Sequence, residues 1–153
     1  MQNYGKVHNM FEPKILEVGD IASLIDKIKS DSALHNWQTS DFENSINDET
    51  RPIYIIENIG FVAFSKALDE AEILMVWMDP NQRKKGYAKN LLKYSFDNLK
   101  TNGVNKIYLE VAIDNIAALN LYIMLGFIEV GKRKNYYKRD NQNIDALILS
   151  KSL

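Results

Sequence analysis

The sequence predicts an α/β chain of the α+β kind, a mixed sheet with helices packed on its faces. Three observations carry this. Apolar residues recur at helical spacing in four segments, and they alternate or run together at strand length in six others. The two kinds interleave as helix, helix, three strands, helix, strand, helix, two strands. At 153 residues, with 46% hydrophobic and 25% charged side chains, the chain has the composition of one globular domain able to bury a core. No repeat or low-complexity linker divides it, so residues 1–153 are read as a single domain.

Taken in order, "VGDIASLIDKIKS" sets Ile21, Leu24, Ile25 and Ile28 on one helical face, with Asp20 as the expected N-cap. In "TSDFENSI", Ser40 stands three residues before Glu43, the spacing of a capping box, and a short second helix is expected to begin there. "IYIIENIGFVAFSKA" reads as two strands turning near Asn58 and Gly60, and "AEILMVWM", stopped by Asp79 and Pro80, as a third. These three form a meander. Ala88, Leu91, Leu92, Ser95, Phe96 and Leu99 then recur at spacings of three and four, a helix that Gly103 closes. "NKIYLEVAI" alternates, with Ile107, Leu109, Val111 and Ile113 on one face. "DNIAALNLYIMLGF" is a further helix ending at Gly126, and "FIEVGKRKNYY" with "DALILSKSL" supplies two strands around a polar loop.

Composition excludes several classes of function. A net charge of -1 and a pI near 6.1 give no general attraction to nucleic acid or membrane, so an anionic partner has to be met by a local patch. Without cysteine there is no disulfide, thiolate zinc site or cysteine nucleophile. His8 and His35 stand far apart without ligand-like spacing, and no metal is expected. The opening "MQNYGKVHNM" lacks an apolar run, and no stretch approaches the ~20 apolar residues of a spanning helix, so a soluble cytoplasmic protein is expected.

The local patch is "DPNQRKKGYAKNLL", residues 79–92. A strand that runs into Asp79 and Pro80 and then into a helix leaves the first N–H groups of that helix without intrahelical partners. Gly86 removes a side chain where an anion would approach the backbone, Ala88 stays small, and Arg83, Lys84, Lys85 and Lys89 add charge to the helix dipole. A pyrophosphate site is one reading and a solvated basic turn the other. Cations at a helix N-terminus are electrostatically unfavourable, which favours a bound anion. The stretch is neither a Walker loop nor a G-x-G-x-x-G fingerprint, against a kinase or a dehydrogenase.

"R-K-K-G-Y-A" at 83–88 resembles the [Q/R]-x-x-G-x-[G/A] acetyl-CoA motif of the GNAT superfamily of N-acetyltransferases, and "NIAALNLYIMLGF", Asn115 to Phe127, is similar to its N-x-x-A-x-x-L-Y-x-x-x-G-F signature. The resemblance spans about residues 53–150, and the N-terminal third more loosely. It implies the GNAT fold, a central mixed and mostly antiparallel sheet flanked by helices, with acetyl-CoA as cosubstrate and no metal. "AEILMVWMDP", "IYLEVAIDN", "LYIMLGF" and "KRKNYY" with "DALIL" most resemble the RimI-type ribosomal-protein-alanine N-acetyltransferases, which acetylate the N-terminal alanine of a small-subunit ribosomal protein. The implied function is direct transfer to a primary amine in a ternary complex.

The resemblance also implies roles. Arg83 to Lys89, including Tyr87, match the pyrophosphate loop, and Val76, Trp77 and Met78 the strand end that receives pantetheine. Glu110 matches the base. It points away from the face of Ile107, Leu109, Val111 and Ile113, and would otherwise be a solvent-facing glutamate. Tyr122 matches the acid that protonates the coenzyme A thiolate and also contacts the cofactor. Its alternative is a packed ring. Asn115 is both a helix cap and a candidate pantetheine contact. Trp77 departs from the small residue usual in this group, and either narrows the acceptor groove or packs on the outer face. Trp37, Tyr136 and Tyr137 are candidate acceptor-binding residues, the tyrosine pair alternatively being sheet-edge aromatics. Lone His35 reads as structural or exposed. The expected partner is a protein N-terminus, with a polyamine or aminoglycoside amine as the alternative acceptor, and the expected state a monomer or weak dimer. A reading from another class is a non-catalytic acetyl-CoA-binding module, or an RNA-binding one in which Lys132, Arg133, Lys134, Lys138 and Arg139 flank stacking tyrosines.

Overall fold

The computed structural model describes residues 11–29, 31, 34, 36–139 and 141–153. His8 and His35 lie outside the described residues. Seven strands form one sheet in the order β1-β2-β3-β4-β5-β7-β6. The strands are β1 (Pro13–Ile15), β2 (Ile53–Ile56), β3 (Gly60–Ala67), β4 (Glu70–Met78), β5 (Lys106–Ala112), β6 (Ile128–Arg139) and β7 (Gln142–Ser152). Only β4 and β5 run parallel, as a helical crossover between them allows; every other neighbouring pair is antiparallel. Helices α1 (Val18–Ile28) and α2 (Thr39–Ile46) precede the meander, α3 (Tyr87–Thr101) makes the crossover, and α4 (Ile116–Met124) follows β5.

The sheet divides the core in two. On one face Leu91, Leu92, Phe96 and Leu99 of α3 and Tyr122 of α4 pack on Tyr54, Val62, Ile107 and Leu109. On the other, Ile21, Leu24, Ile25 and Ile28 of α1 and Phe42 of α2 cover Ile53, Ile55, Phe61 and Ala63. Burial of each such side chain contributes roughly 1.5–3 kcal/mol, so these stripes, not helix propensity, hold the layers.

The structure differs from the sequence reading in five places. Asp20 is not the cap of α1: Glu17 is, and Asp20 stands at the third helical position, accepting the Glu17 N–H at 3.0 Å. Likewise α2 starts from Gln38, whose N–H is taken by Asp41 at 2.7 Å; Ser40 and Glu43 lie inside the helix. Strand β1 was not expected, because three residues are too few to show alternation, and Pro13 sits where an edge strand tolerates it. Ile113 is not a strand residue: β5 ends at Ala112 and Ile113 is exposed. The polar loop expected after Tyr137 is mostly strand as well, since Lys138 and Arg139 continue β6 along the outer edge, where charged side chains are solvated and discourage pairing with another chain, and Gln142 to Ile144 open β7.

Candidate active site

A bulge in β4 builds the site. Ala63 pairs with Met75 and Phe64 with Ile73, leaving Leu74 as an extra residue. Period-two alternation therefore changes phase. Ala71 and Ile73 face the α3 and α4 layer, and after Leu74 so do Val76 and Met78, while Met75 and Trp77 turn under α1 and α2. Pairing of β4 with β5 stops at Ile73 and Leu109. Past that point the strands part around a cleft of about 280 Å³ whose walls include Val76, Glu110, Asn115, Tyr122, Tyr137 and Arg139.

Trp77 is not among the cleft-lining side chains. Its indole packs 6.1 Å from Phe61 and donates Nε1–H to Asp31 at 2.9 Å, the outer-face alternative, so only its backbone is left at the strand end. Trp37 joins the same aromatic group, 5.5 Å from Phe42 and 5.3 Å from Phe61, and does not line the cleft either.

After β4, Asp79 accepts the Asn81 N–H at 2.9 Å and pairs with Lys27 at 3.1 Å; these contacts, the backbone bond first, hold its carboxyl below the usual range. The chain then passes through left-handed Lys84 and Gly86, φ 61 and 84°, into α3. The first helical bond runs from Asn90 N–H to Gly86 O at 3.1 Å, so the N–H groups of Tyr87, Ala88 and Lys89 have no intrahelical acceptor. A Cβ placed on Gly86 would meet no atom within 4 Å: the loop is open on that side, and backbone conformation is what calls for glycine. Arg83 turns back, donating from Nε to Met78 O at 3.0 Å and reaching Asp31 at 3.4 Å. Lys85 bonds Gln82 at 3.0 Å, and the Tyr87 ring stacks on Phe11.

Glu110 does project from the face opposite Ile107, Leu109 and Val111, with its side chain 17% exposed and Oε1 2.9 Å from Arg133 Nε. It borders both the cleft and a second hollow, on the α1 and α2 side, lined by Glu70, Glu72, Tyr108 and Arg133. Tyr122 is 7% exposed, and burial, with a smaller effect of Tyr137, pushes its hydroxyl up to about 12, so it stays protonated at neutral pH. Asn115 caps α4, accepting Ala118 N–H at 3.2 Å, and lines the cleft as well.

Tyr136 and Tyr137 meet ring to ring at 5.0 Å and 84°, although neighbours in a regular strand point to opposite faces. Three residues of β6, Lys134 to Tyr136, face Asp145 alone on β7, and this bulge brings the rings together. Tyr137 lines the cleft; burial raises its pKa, and then Glu110 and Tyr136. Tyr136 remains outside, with the Arg133 guanidinium 5.2 Å above its ring.

The sequence reading missed Asp31, which anchors both Trp77 and Arg83, and Asp145, which anchors the tyrosine bulge. A lone aspartate in an apolar terminal strand was the available signal for the second. Of the five basic residues of the RNA reading, Lys132 pairs with Asp145, Arg133 with Glu110 and Arg139 with Asp114, which weakens that reading. Among the described residues no group of three or more His, Asp or Glu could hold a metal ion, and no helix is long and apolar enough to cross a membrane.

Residues 21–127 match the model of the acetyltransferase (GNAT) family. The ribosomal protein bS18-alanine N-acetyltransferase of Escherichia coli K12 is 32% identical over 117 residues, 74% of this chain and 79% of that protein. Its namesake from Haemophilus influenzae is 33% identical over 127 residues, 81% and 86% of the two chains. The crystal structure of the E. coli ribosomal-protein-S18-alanine N-acetyltransferase superposes with a TM-score of 0.78 at 28% identity, covering 92% of each chain. Sheet order, the β4 splay and the sequence match all point the same way, and the chain belongs to the GNAT family of N-acetyltransferases.

Proposed function

We propose that this N-acetyltransferase moves the acetyl group of acetyl-CoA to the N-terminal α-amine of a ribosomal protein, with alanine as the accepting residue, by direct transfer in a cytoplasmic ternary complex, residues 1–153 working as one domain. The observation that carries the reading is a single cleft, opened where β4 leaves β5, walled together by Glu110, Tyr122 and Tyr137. The names of the relatives that share most of their length with the chain support the choice of acceptor.

The residues present fit the cosubstrate. Bound acetyl-CoA supplies an acetyl carbon activated as a thioester. The free N–H groups at the start of α3, the open flank of Gly86 and the charges of Lys84, Lys85 and Lys89 suit its pyrophosphate. Arg83 serves from behind, tying the loop to Met78 O. The backbone of Val76 to Met78, unpaired with β5, can accept the pantetheine arm as an added strand, and Asn115 lies beside it. Glu110 takes the proton of the acceptor ammonium and passes it to water, so that a neutral nitrogen attacks, and it takes the second proton that the nitrogen sheds as the C–N bond forms. Tyr122 gives its proton to sulfur as the C–S bond breaks. Tyr136 and Tyr137 flank the acceptor; Trp37 shapes its groove only through the core beneath it.

The test is mass spectrometry of a peptide with a free N-terminal alanine, incubated with the protein and acetyl-CoA beside a copy blocked at its N-terminus. One acetyl group on the free peptide alone is expected. Transfer to polyamines or aminoglycosides instead would move the reading to a small-amine enzyme.

A further inference from the structure

Arg133 reaches Glu110 from two strands away. In the sheet Glu110 stands opposite Ile148 of β7, which stands opposite Gly131 of β6; the next row on the same face is Ala112, Ala146 and Arg133. Strands are spaced ~4.8 Å apart, so about 10 Å separate β5 from β6. Two side chains of β7 stand between them on this face, Ile148 and Ala146. Ala112 and Ala146, in the row of Arg133, are small and leave a trough, while Ile148 leans over Gly131, where an added Cβ would come within 3.3 Å of its Cδ1. The Arg133 side chain lies along the trough and places Nε 2.9 Å from Glu110 Oε1.

The pair is built to part. Arg133 is 53% exposed while Glu110 is 17% exposed, so one partner is held and the other is at the surface. The guanidinium also rests 5.2 Å over the Tyr136 ring, a cation–π contact available to it whether or not it holds the carboxylate. An acceptor amine arrives as an ammonium ion and seeks the same carboxylate.

We infer that Arg133 is a displaceable counter-ion, occupying on Glu110 the place that the acceptor ammonium takes, so that acceptor binding is an exchange of one cation for another. The inference rests on Glu110 being the base of the proposed reaction. It makes Arg133 a specificity residue: only an acceptor that brings a positive charge regains what the broken pair gives up, and a blocked or neutral N-terminus does not.

The experiment compares Arg133→Gln and Arg133→Lys with the wild type on the N-terminal-alanine peptide. Removing the competitor in Arg133→Gln is expected to lower the acceptor KM about two- to fivefold, the scale of a half-exposed ion pair, and to leave the acetyl-CoA KM unchanged. Arg133→Lys restores the wild-type acceptor KM. A KM that is unchanged or raised in Arg133→Gln overturns the inference, since a residue that merely braces Glu110 would impair the enzyme when removed. Should the wild type not acetylate the peptide, the proposed acceptor fails by itself. The exchange is then read from the Nε–H resonance of Arg133 during titration with ethylammonium chloride: movement toward the unpaired position supports it, and a fixed resonance overturns it.

Discussion

Asp145 accepts the backbone N–H of Asn135 at 2.8 Å, and its second oxygen takes Lys132 at 2.9 Å. These bonds, the backbone one first, hold the Asp145 carboxyl below the usual range, and they keep Asn135 at a left-handed φ of 56° in the middle of the β6 bulge. Asp145→Ala releases the bulge and with it the joint placement of Tyr136 and Tyr137. The acceptor KM is expected to rise several-fold while the acetyl-CoA Kd, measured by calorimetry, stays put. A parallel loss in both would instead indicate general damage to the fold.

Glu110→Gln keeps the shape of the side chain and removes its capacity to take a proton. Turnover should fall about 10²–10⁴-fold, with the acetyl-CoA Kd nearly intact. Steady-state kinetics beside calorimetry separates the two, and unchanged turnover would remove Glu110 from the role of base.

Tyr122→Phe removes the proposed acid and leaves the ring that packs 5.6 Å from Phe127. A drop in turnover of about 10²-fold is expected with no loss of melting temperature at pH 7. The same substitution has a signature at high pH. In the folded protein Tyr122 is raised from 10.0 to about 12 by burial, so between those values the native state holds a proton that the unfolded chain has released. Stability from this residue is therefore complete below pH 10 and is lost as pH rises toward 12, by roughly 3 kcal/mol in all. Urea unfolding across that window should show a shallower decline for Tyr122→Phe than for the wild type.

At Gly86 a methyl group meets open space, yet φ is 84°. Gly86→Ala should cost roughly 1–2 kcal/mol from backbone strain alone, or shift the loop to escape it. Either way the N–H groups at the start of α3 lose their arrangement, and the acetyl-CoA Kd should weaken about tenfold or more while circular dichroism at 25 °C remains native.

Much of this was legible because the relevant signals are local. The stripe of α1 is carried by Ile21, Leu24, Ile25 and Ile28, all buried, and Gly103 and Gly126 end α3 and α4. Both motifs are fixed spacings within one strand-to-helix unit, so Gly86, Asn115 and Tyr122 could be picked out without knowing the sheet. What was hidden depends on sheet order or on phase. Arg133 and Glu110 lie 23 positions apart in sequence and meet only because β7 inserts between their strands. Trp77 could not be placed because "ILMVWM" is apolar throughout: with no polar residue to mark the faces, the bulge at Leu74 leaves no trace in the pattern. The end of β6 and the start of β7 were hidden in the opposite way, as the polar residues Lys138, Arg139, Gln142 and Asn143 read like a loop.

The bulge at Leu74 also makes the end of β4 behave like a reading frame. Were the same nine residues drawn into a regular strand, the alternation of Ala71 and Ile73 would run straight through Leu74, and each of the last residues would exchange faces. The indole of Trp77 would then be driven toward the α3 and α4 side, and the Asp31 carboxylate would lose the indole N–H. Val76 and Met78 would move under the first two helices. Losing the half-exposed residue 74 itself would straighten the strand and leave Val76, Trp77 and Met78 on their present faces, so what it removes is the irregularity at which β4 leaves β5.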